Sequence, residues 1–178
     1  MVLVLVLPPT YPYIAMGLAA NFLFCMALAP IVGLPARKAA FKGDHLSTFE
    51  GLHIATFGEN AKVDGMGQPD QGQGWYSKTL SLGDWVRFNS AQRIMMNYIE
   101  SFPFLIAFSL AAGIYFPAYA VIGVWTVLLG RVFYAIGYKK SPKMRVPGAL
   151  LMMLANLTML VLSLASVYKL LINSMQSV

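Results

Sequence analysis

Long apolar runs, separated by short polar turns and one long polar connection, set the pattern of this chain. A helix that crosses a bilayer needs about 20 mostly apolar residues. Four segments reach that length, at residues 11–32, 88–116, 118–138 and 147–172. They predict an all-α integral membrane protein, a four-transmembrane-helix bundle in one membrane domain over residues 1–178. The connection over residues 33–87 differs from the rest: its stretch "GENAKVDGMGQPDQGQGWYSK" is rich in glycine and glutamine. A loop of that length is usually functional or disordered.

Polar positions inside the apolar runs carry a second pattern. In "RIMMNYIESFP", Arg93, Asn97 and Glu100 recur at i, i+4 and i+7, which places them on one face of the second helix. Arginine or glutamate near the bilayer centre costs roughly 2.5–3.5 kcal/mol each on insertion scales, so such groups face protein, pair, or mark a site. Two readings stay open from spacing alone, an Arg93–Glu100 pair that locks helices and a binding face. On the third helix Arg131, Tyr134 and Tyr138 recur at i, i+3 and i+7, and Arg145 follows one short loop later. Tyrosine at a membrane edge is often an interface residue. Together the two helices and the first loop gather cations, one carboxylate, an amide and two phenols. That set suits a small ligand with both carboxylates and an ammonium group. Gly123, Gly130 and Gly137, one every seven residues, form a stripe where a neighbouring helix can approach closely.

Composition agrees with a membrane protein. The chain is 58% hydrophobic and 11% charged, where a soluble domain carries about 25% charged residues. The net charge of +6 is a topology signal rather than a nucleic-acid footprint. Arg37, Lys38 and Lys42 follow the first span, and Lys139, Lys140, Lys143 and Arg145 lie between the third and fourth. The positive-inside rule then turns the first and third loops to the cytosol and both termini to the other side. The opening "MVLVLVLPPT" has no basic region and is broken by Pro8 and Pro9, so it reads as no cleaved signal, and the first helix serves as its own insertion signal. Cys25, the single cysteine, reads as a small buried hydrophobe. His45 and His53 lack a cysteine or tight carboxylate cluster, so no metal site is expected, and "GMGQPDQGQG" has no phosphate-cradling spacing.

With "FNSAQRIMMNYIESFP", "GRVFYAIGY" and "KMRVPGAL" on the page, and "LPPTYPY" and "ARKAAF" flanking the first span, the chain resembles the membrane-associated eicosanoid and glutathione metabolism family, in particular its microsomal glutathione transferases. The resemblance implies a four-helix bundle that assembles as a homotrimer, with glutathione as co-substrate bound between neighbouring subunits near the cytosolic face. Carried over by position, it implies that Arg37, Arg93, Asn97, Glu100, Tyr134 and Tyr138 contact glutathione and that Arg145 stabilises the thiolate. Lys38 stands where some relatives have a second arginine. Met95 and Met96 replace polar side chains common in relatives, Ser90 replaces a cysteine, and the 33–87 connection is longer than theirs.

Three functions follow. One is an enzyme that conjugates glutathione to lipophilic electrophiles or reduces lipid hydroperoxides, drawing its apolar substrate from membrane lipid. The others are a lipid-presenting scaffold without catalysis, and a structural subunit of a larger membrane complex whose long loop docks through Trp75, Tyr76 and Trp85. Joint retention of Arg93, Glu100 and Arg145 favours the enzyme. The implied location is the endoplasmic reticulum and nuclear envelope or the mitochondrial membrane.

Overall fold

The structure, a computed structural model, describes residues 7–176. The first six residues, on which the reading of the N-terminus partly rests, lie outside them. Helix α1 (Pro12–Leu28) runs through a π-helical turn at Ala29–Gly33 into α2 (Leu34–Ala40), and together they make one membrane-length element. Pro30, within that turn, has no N–H to give the regular ladder, which shifts there by one residue. Arg37 and Lys38 close α2, where cations complement the carbonyl end of a helix.

Two short helices, α3 (Gly43–Ser47) and α4 (Glu50–Phe57), occupy part of the long connection. Gly58, at φ 98°, ends α4 in a left-handed conformation that only glycine adopts freely. Helix α5 (Leu82–Gly113) starts at Leu82, earlier than residue 88, because Ser81 caps it. The Ser81 hydroxyl accepts the Asp84 N–H at 3.1 Å and donates to the Asp84 carboxylate at 2.8 Å. Helix α6 (Pro117–Lys140) opens on a proline and closes on Lys139 and Lys140. A 3₁₀ turn (Pro142–Arg145) leads into α7 (Val146–Gln176). The protein is an all-helical membrane protein with four helical elements long and apolar enough to span a bilayer.

The chain packs as two compact units. One contains residues up to Cys25 and from Asn97 onward; the other is Met26–Met96. In the first, the heptad glycines of α6 do form a packing seam. A methyl group on Gly123 would meet Met159 at 2.8 Å, and one on Gly130 would meet Met152 at 2.7 Å and the Gly148 carbonyl at 3.1 Å. Asn21 on α1 donates to its own turn at Gly17 (2.9 Å) and to the Val124 carbonyl of α6 (3.2 Å). Ile14, Ala112, Ala120, Val124, Val127 and Met159 fill the centre, while Leu23, Phe104, Ile122 and Val161 point outward. Apolar side chains on the outer face fit a bundle solvated by lipid.

In the second unit Phe41, Phe88, Ala40 and Leu46 form a small core with Val63, Tyr76 and Leu80 packed against it. The Phe41 and Phe88 rings meet edge to face at 5.0 Å, and the Arg37 guanidinium lies over both, 5.6 and 5.1 Å from their centres.

Candidate functional site

Of the three side chains predicted to share a face of α6, the two tyrosines come together. Tyr134 and Tyr138, one turn apart, are buried with ring centres 5.5 Å apart. The short connection after Ser141 turns Arg145 back over them. Its Nη1 donates to the Tyr138 hydroxyl at 2.9 Å, and its guanidinium carbon lies 4.9 Å from the centre of that ring. The turn is this tight because Gly137 carries no side chain: a methyl there would collide with the Met144 carbonyl. Arg145 has no carboxylate partner among the described residues. The result is a half-buried cation held on a phenol, able to attract an anion.

Arg131, the third member of that face, turns instead into a second cluster and is only 4% exposed. Its Nη1 donates to Oδ1 of Asn97 at 2.7 Å, and its Nη2 donates to the Ser101 hydroxyl. Its guanidinium stacks on Tyr98, 4.4 Å from the ring centre, and its Nε is buried without a hydrogen-bond partner. Tyr98 donates onward to Asn21, with the Asn21 carbonyl at 2.6 Å and its Oδ1 at 2.9 Å. Of the residues implied to bind glutathione, then, Tyr134, Tyr138 and Arg145 form one cluster, and Asn97 belongs to another. Sequence reasoning did not single out Asn21, Tyr98 and Ser101. A lone amide in an otherwise apolar span was the available signal for Asn21; nothing in spacing marked the other two.

Glu100 is exposed on α5 and forms no hydrogen bond or ion pair within the described chain; Arg93 is likewise exposed and unpaired. The one ion pair among the described residues joins Arg87 and Asp84 at 3.7 Å. A locking pair between Arg93 and Glu100 is not formed.

Arg37 is fully engaged in its own unit. It donates to the carbonyls of Met66 (3.1 Å), Gly67 (3.4 Å) and Asp70 (2.5 Å), which fastens the glycine-rich loop to the end of α2. The Asp70 carboxylate organises the same loop by accepting from the N–H groups of Gly72 (2.7 Å), Gly74 (3.1 Å) and Ser77 (2.7 Å). Burial pushes the Asp70 carboxyl up, but those hydrogen bonds outweigh it and hold the group below the usual carboxylate range. Met95, expected by resemblance to replace a polar contact, packs beside Gly33, where a methyl group would lie 2.6 Å from its sulfur.

Both histidines are taken up by Tyr76. His45 Nε2 lies 2.6 Å from its carbonyl, and His53 Nε2 lies 2.5 Å from its hydroxyl. Trp85 is tied down through Nε1 to the Gly72 carbonyl at 2.9 Å, whereas Trp75 is 71% exposed. Phe49, Leu52, Phe57, Trp75 and Tyr76 line a mostly apolar cavity of about 780 Å³ in this unit. None of the residues implied to bind glutathione lines it.

The sequence profile of the MAPEG family matches residues 46–165, and the chain belongs to that family. No curated protein matches it.

Proposed function

We propose that this MAPEG protein is a microsomal glutathione transferase-like enzyme, which activates glutathione as its thiolate for attack on lipophilic electrophiles or for reduction of lipid hydroperoxides. The observation that carries this reading is Arg145, held against Tyr138 without a carboxylate partner. A glutathione-type thiol ionises near pH 8.5 in water, and the thiolate is the nucleophile. A guanidinium beside the sulfur favours the charged form, and each unit of lowered pKa represents about 1.4 kcal/mol. In conjugation the thiolate sulfur forms the new bond to carbon and the electrophile's electron pair departs with its leaving group or is protonated. In peroxide reduction two glutathiones give the disulfide, an alcohol and water.

Arg37, Arg93, Asn97, Glu100, Tyr134 and Tyr138 are proposed to hold glutathione, with Glu100 on the ammonium and the arginines on the carboxylates. A homotrimer is proposed from the family resemblance, and the outward position of two charged side chains supports a covering partner, without fixing the number of copies. Arg93 and Glu100 are each exposed and unpaired on a membrane-length helix, at roughly 2.5–3.5 kcal/mol apiece if lipid covers them near the bilayer centre. A ligand and a neighbouring copy would remove that cost. The membrane is proposed to be that of the endoplasmic reticulum and nuclear envelope or the mitochondrion, with the basic loops facing the cytosol.

A second reading, a structural subunit of a larger membrane complex, is favoured by one observation: Arg37 is already committed to three loop carbonyls. Titrating glutathione into the protein in mild detergent, with thiolate absorbance as readout, separates the two. The enzyme reading expects a thiolate signal near neutral pH that disappears in Arg145→Ala. Absence of binding at millimolar glutathione would overturn it and leave the complex subunit.

A further inference from the structure

The buried cluster around Arg131 fixes what Asn97 can offer a ligand. An amide side chain normally presents both an acceptor and two donors, and which end faces a neighbour follows from the neighbour's chemistry. Arginine has donors only. With Nη1 of Arg131 at 2.7 Å, the atom facing it has to be the Asn97 carbonyl oxygen, since two donors would repel. The Asn97 Nδ2 therefore turns the other way, and it makes no hydrogen bond within the described chain.

Two further contacts hold Arg131 in that pose. Its second arm donates to Ser101, whose hydroxyl hydrogen is occupied by the carbonyls of Asn97 (2.8 Å) and Tyr98 (3.1 Å). Ser101 can thus act toward Arg131 only as acceptor. Tyr98 supplies a ring face at 4.4 Å and is itself anchored to Asn21. Among the described residues no carboxylate pairs with Arg131, so a whole positive charge stays behind the Asn97 amide and polarises it, which strengthens its N–H donors.

We propose that Arg131 is the positioning residue of this face: by holding the Asn97 carbonyl it commits that amide to donation, so the face selects a group that only accepts, a carboxylate or a peptide carbonyl. The inference rests on the glutathione reading for the identity of the ligand, and glutathione carries both kinds of acceptor.

Asn97→Asp is the deciding variant. The carboxylate still accepts from Arg131 and now neutralises it, but the outward donors are gone and a negative charge replaces them. The expected result is a thermal midpoint at or above wild type together with glutathione affinity weakened about tenfold or more. A merely structural role for Asn97 would leave affinity unchanged in this well-folded variant. Arg131→Gln, alone and combined with Asn97→Ala, supplies the second test. If Arg131 acts through Asn97, the double variant binds no more weakly than Asn97→Ala alone. Wild-type-like affinity in Asn97→Asp, or full additivity in the double variant, would overturn the proposal. A wild type that binds no glutathione fails the functional reading instead. The clamp then stands or falls on stability: Asn97→Asp is expected to match or exceed wild type, and a midpoint below it would overturn the clamp too.

Discussion

Arg145 donates to the hydroxyl of Tyr138 from a residue seven positions later, across a turn that reverses the chain. Because the guanidinium also lies on the Tyr138 ring, the phenol both orients the cation and leaves part of it free. Removing the hydroxyl and removing the cation are therefore different experiments. Tyr138→Phe keeps the ring and loses one hydrogen bond, worth about 1.5–3 kcal/mol where one partner is charged, much of it recovered if Arg145 keeps its ring contact. Glutathione affinity is expected to weaken by less than about tenfold. Arg145→Ala is expected to raise the pH at which bound glutathione ionises by a unit or more, about 1.4 kcal/mol per unit. Thiolate absorbance followed against pH in both variants reads this directly. An unchanged profile in Arg145→Ala would remove that residue from the chemistry.

The glycine seam makes an ordered prediction about stability. At Gly123 an added methyl meets only the flexible Met159 side chain, at 2.8 Å; at Gly130 it also meets the Gly148 backbone carbonyl, at 3.1 Å. A thioether chain can swing aside, and backbone cannot. Gly130→Ala is expected to cost about 1–3 kcal/mol, and Gly123→Ala less. Gly51 on α4 has open space around its added methyl, so Gly51→Ala is expected to stabilise α4 by roughly 0.5–1 kcal/mol through helix propensity. Thermal midpoints in detergent rank the first two. Amide exchange of α4 reads the third.

Asp70 predicts a pH dependence confined to its loop. Its folded carboxyl lies below the ordinary range, so it contributes stability that is fully present above the unfolded value, about 3.9. That stability fades as pH falls through the lower, folded value. Protection of the Gly72, Gly74 and Ser77 amides should therefore hold at neutral pH and be lost in acid. Asp70→Asn is expected to remove the protection of the Ser77 amide at every pH and to keep part of that at Gly72 and Gly74: those two share one carboxylate oxygen, which the amide oxygen can replace, whereas the amide nitrogen cannot accept from Ser77. Ser77 protection that persists unchanged in Asp70→Asn would show that the carboxylate does not organise the loop.

How much of this could be read from the sequence divides by the range of the interaction. The existence of four spans depends on apolar length and was legible, but their ends were not: the first continues through a π-helical turn to Ala40 instead of ending at residue 32, and α5 starts early, at Leu82, because one serine and one aspartate decide it. Heptad spacing gave the Gly123–Gly130–Gly137 seam and placed Arg131, Tyr134 and Tyr138 on one face. Spacing could not show that Arg131 leaves that face for Asn97 on another helix, while Arg145 joins Tyr138. Nor could it show that Arg37 spends its donors on carbonyls around 30 residues away, since backbone acceptors leave no trace in residue identity. Helices α3 and α4 were hidden for a related reason: they are short and are stabilised by the aromatic contacts of Phe41, His45, Phe49 and Tyr76 rather than by an apolar stripe.

Arg37 is where the family resemblance and the geometry make different demands, which a single residue can decide. The resemblance assigns it to glutathione; the structure gives it three loop carbonyls and two aromatic faces. Lysine keeps the charge but has no planar fork to span those carbonyls. If the loop clamp is its main role, Arg37→Lys is expected to leave the residue 62–76 segment far more open to protease, whether or not glutathione is present. If glutathione draws Arg37 away from the loop, saturating ligand should itself increase cleavage of the wild-type loop, and Arg37→Lys should bind glutathione more weakly. Limited proteolysis of both proteins, with and without millimolar glutathione, distinguishes the two. Equal cleavage of wild type and Arg37→Lys under both conditions would show that Arg37 fastens nothing.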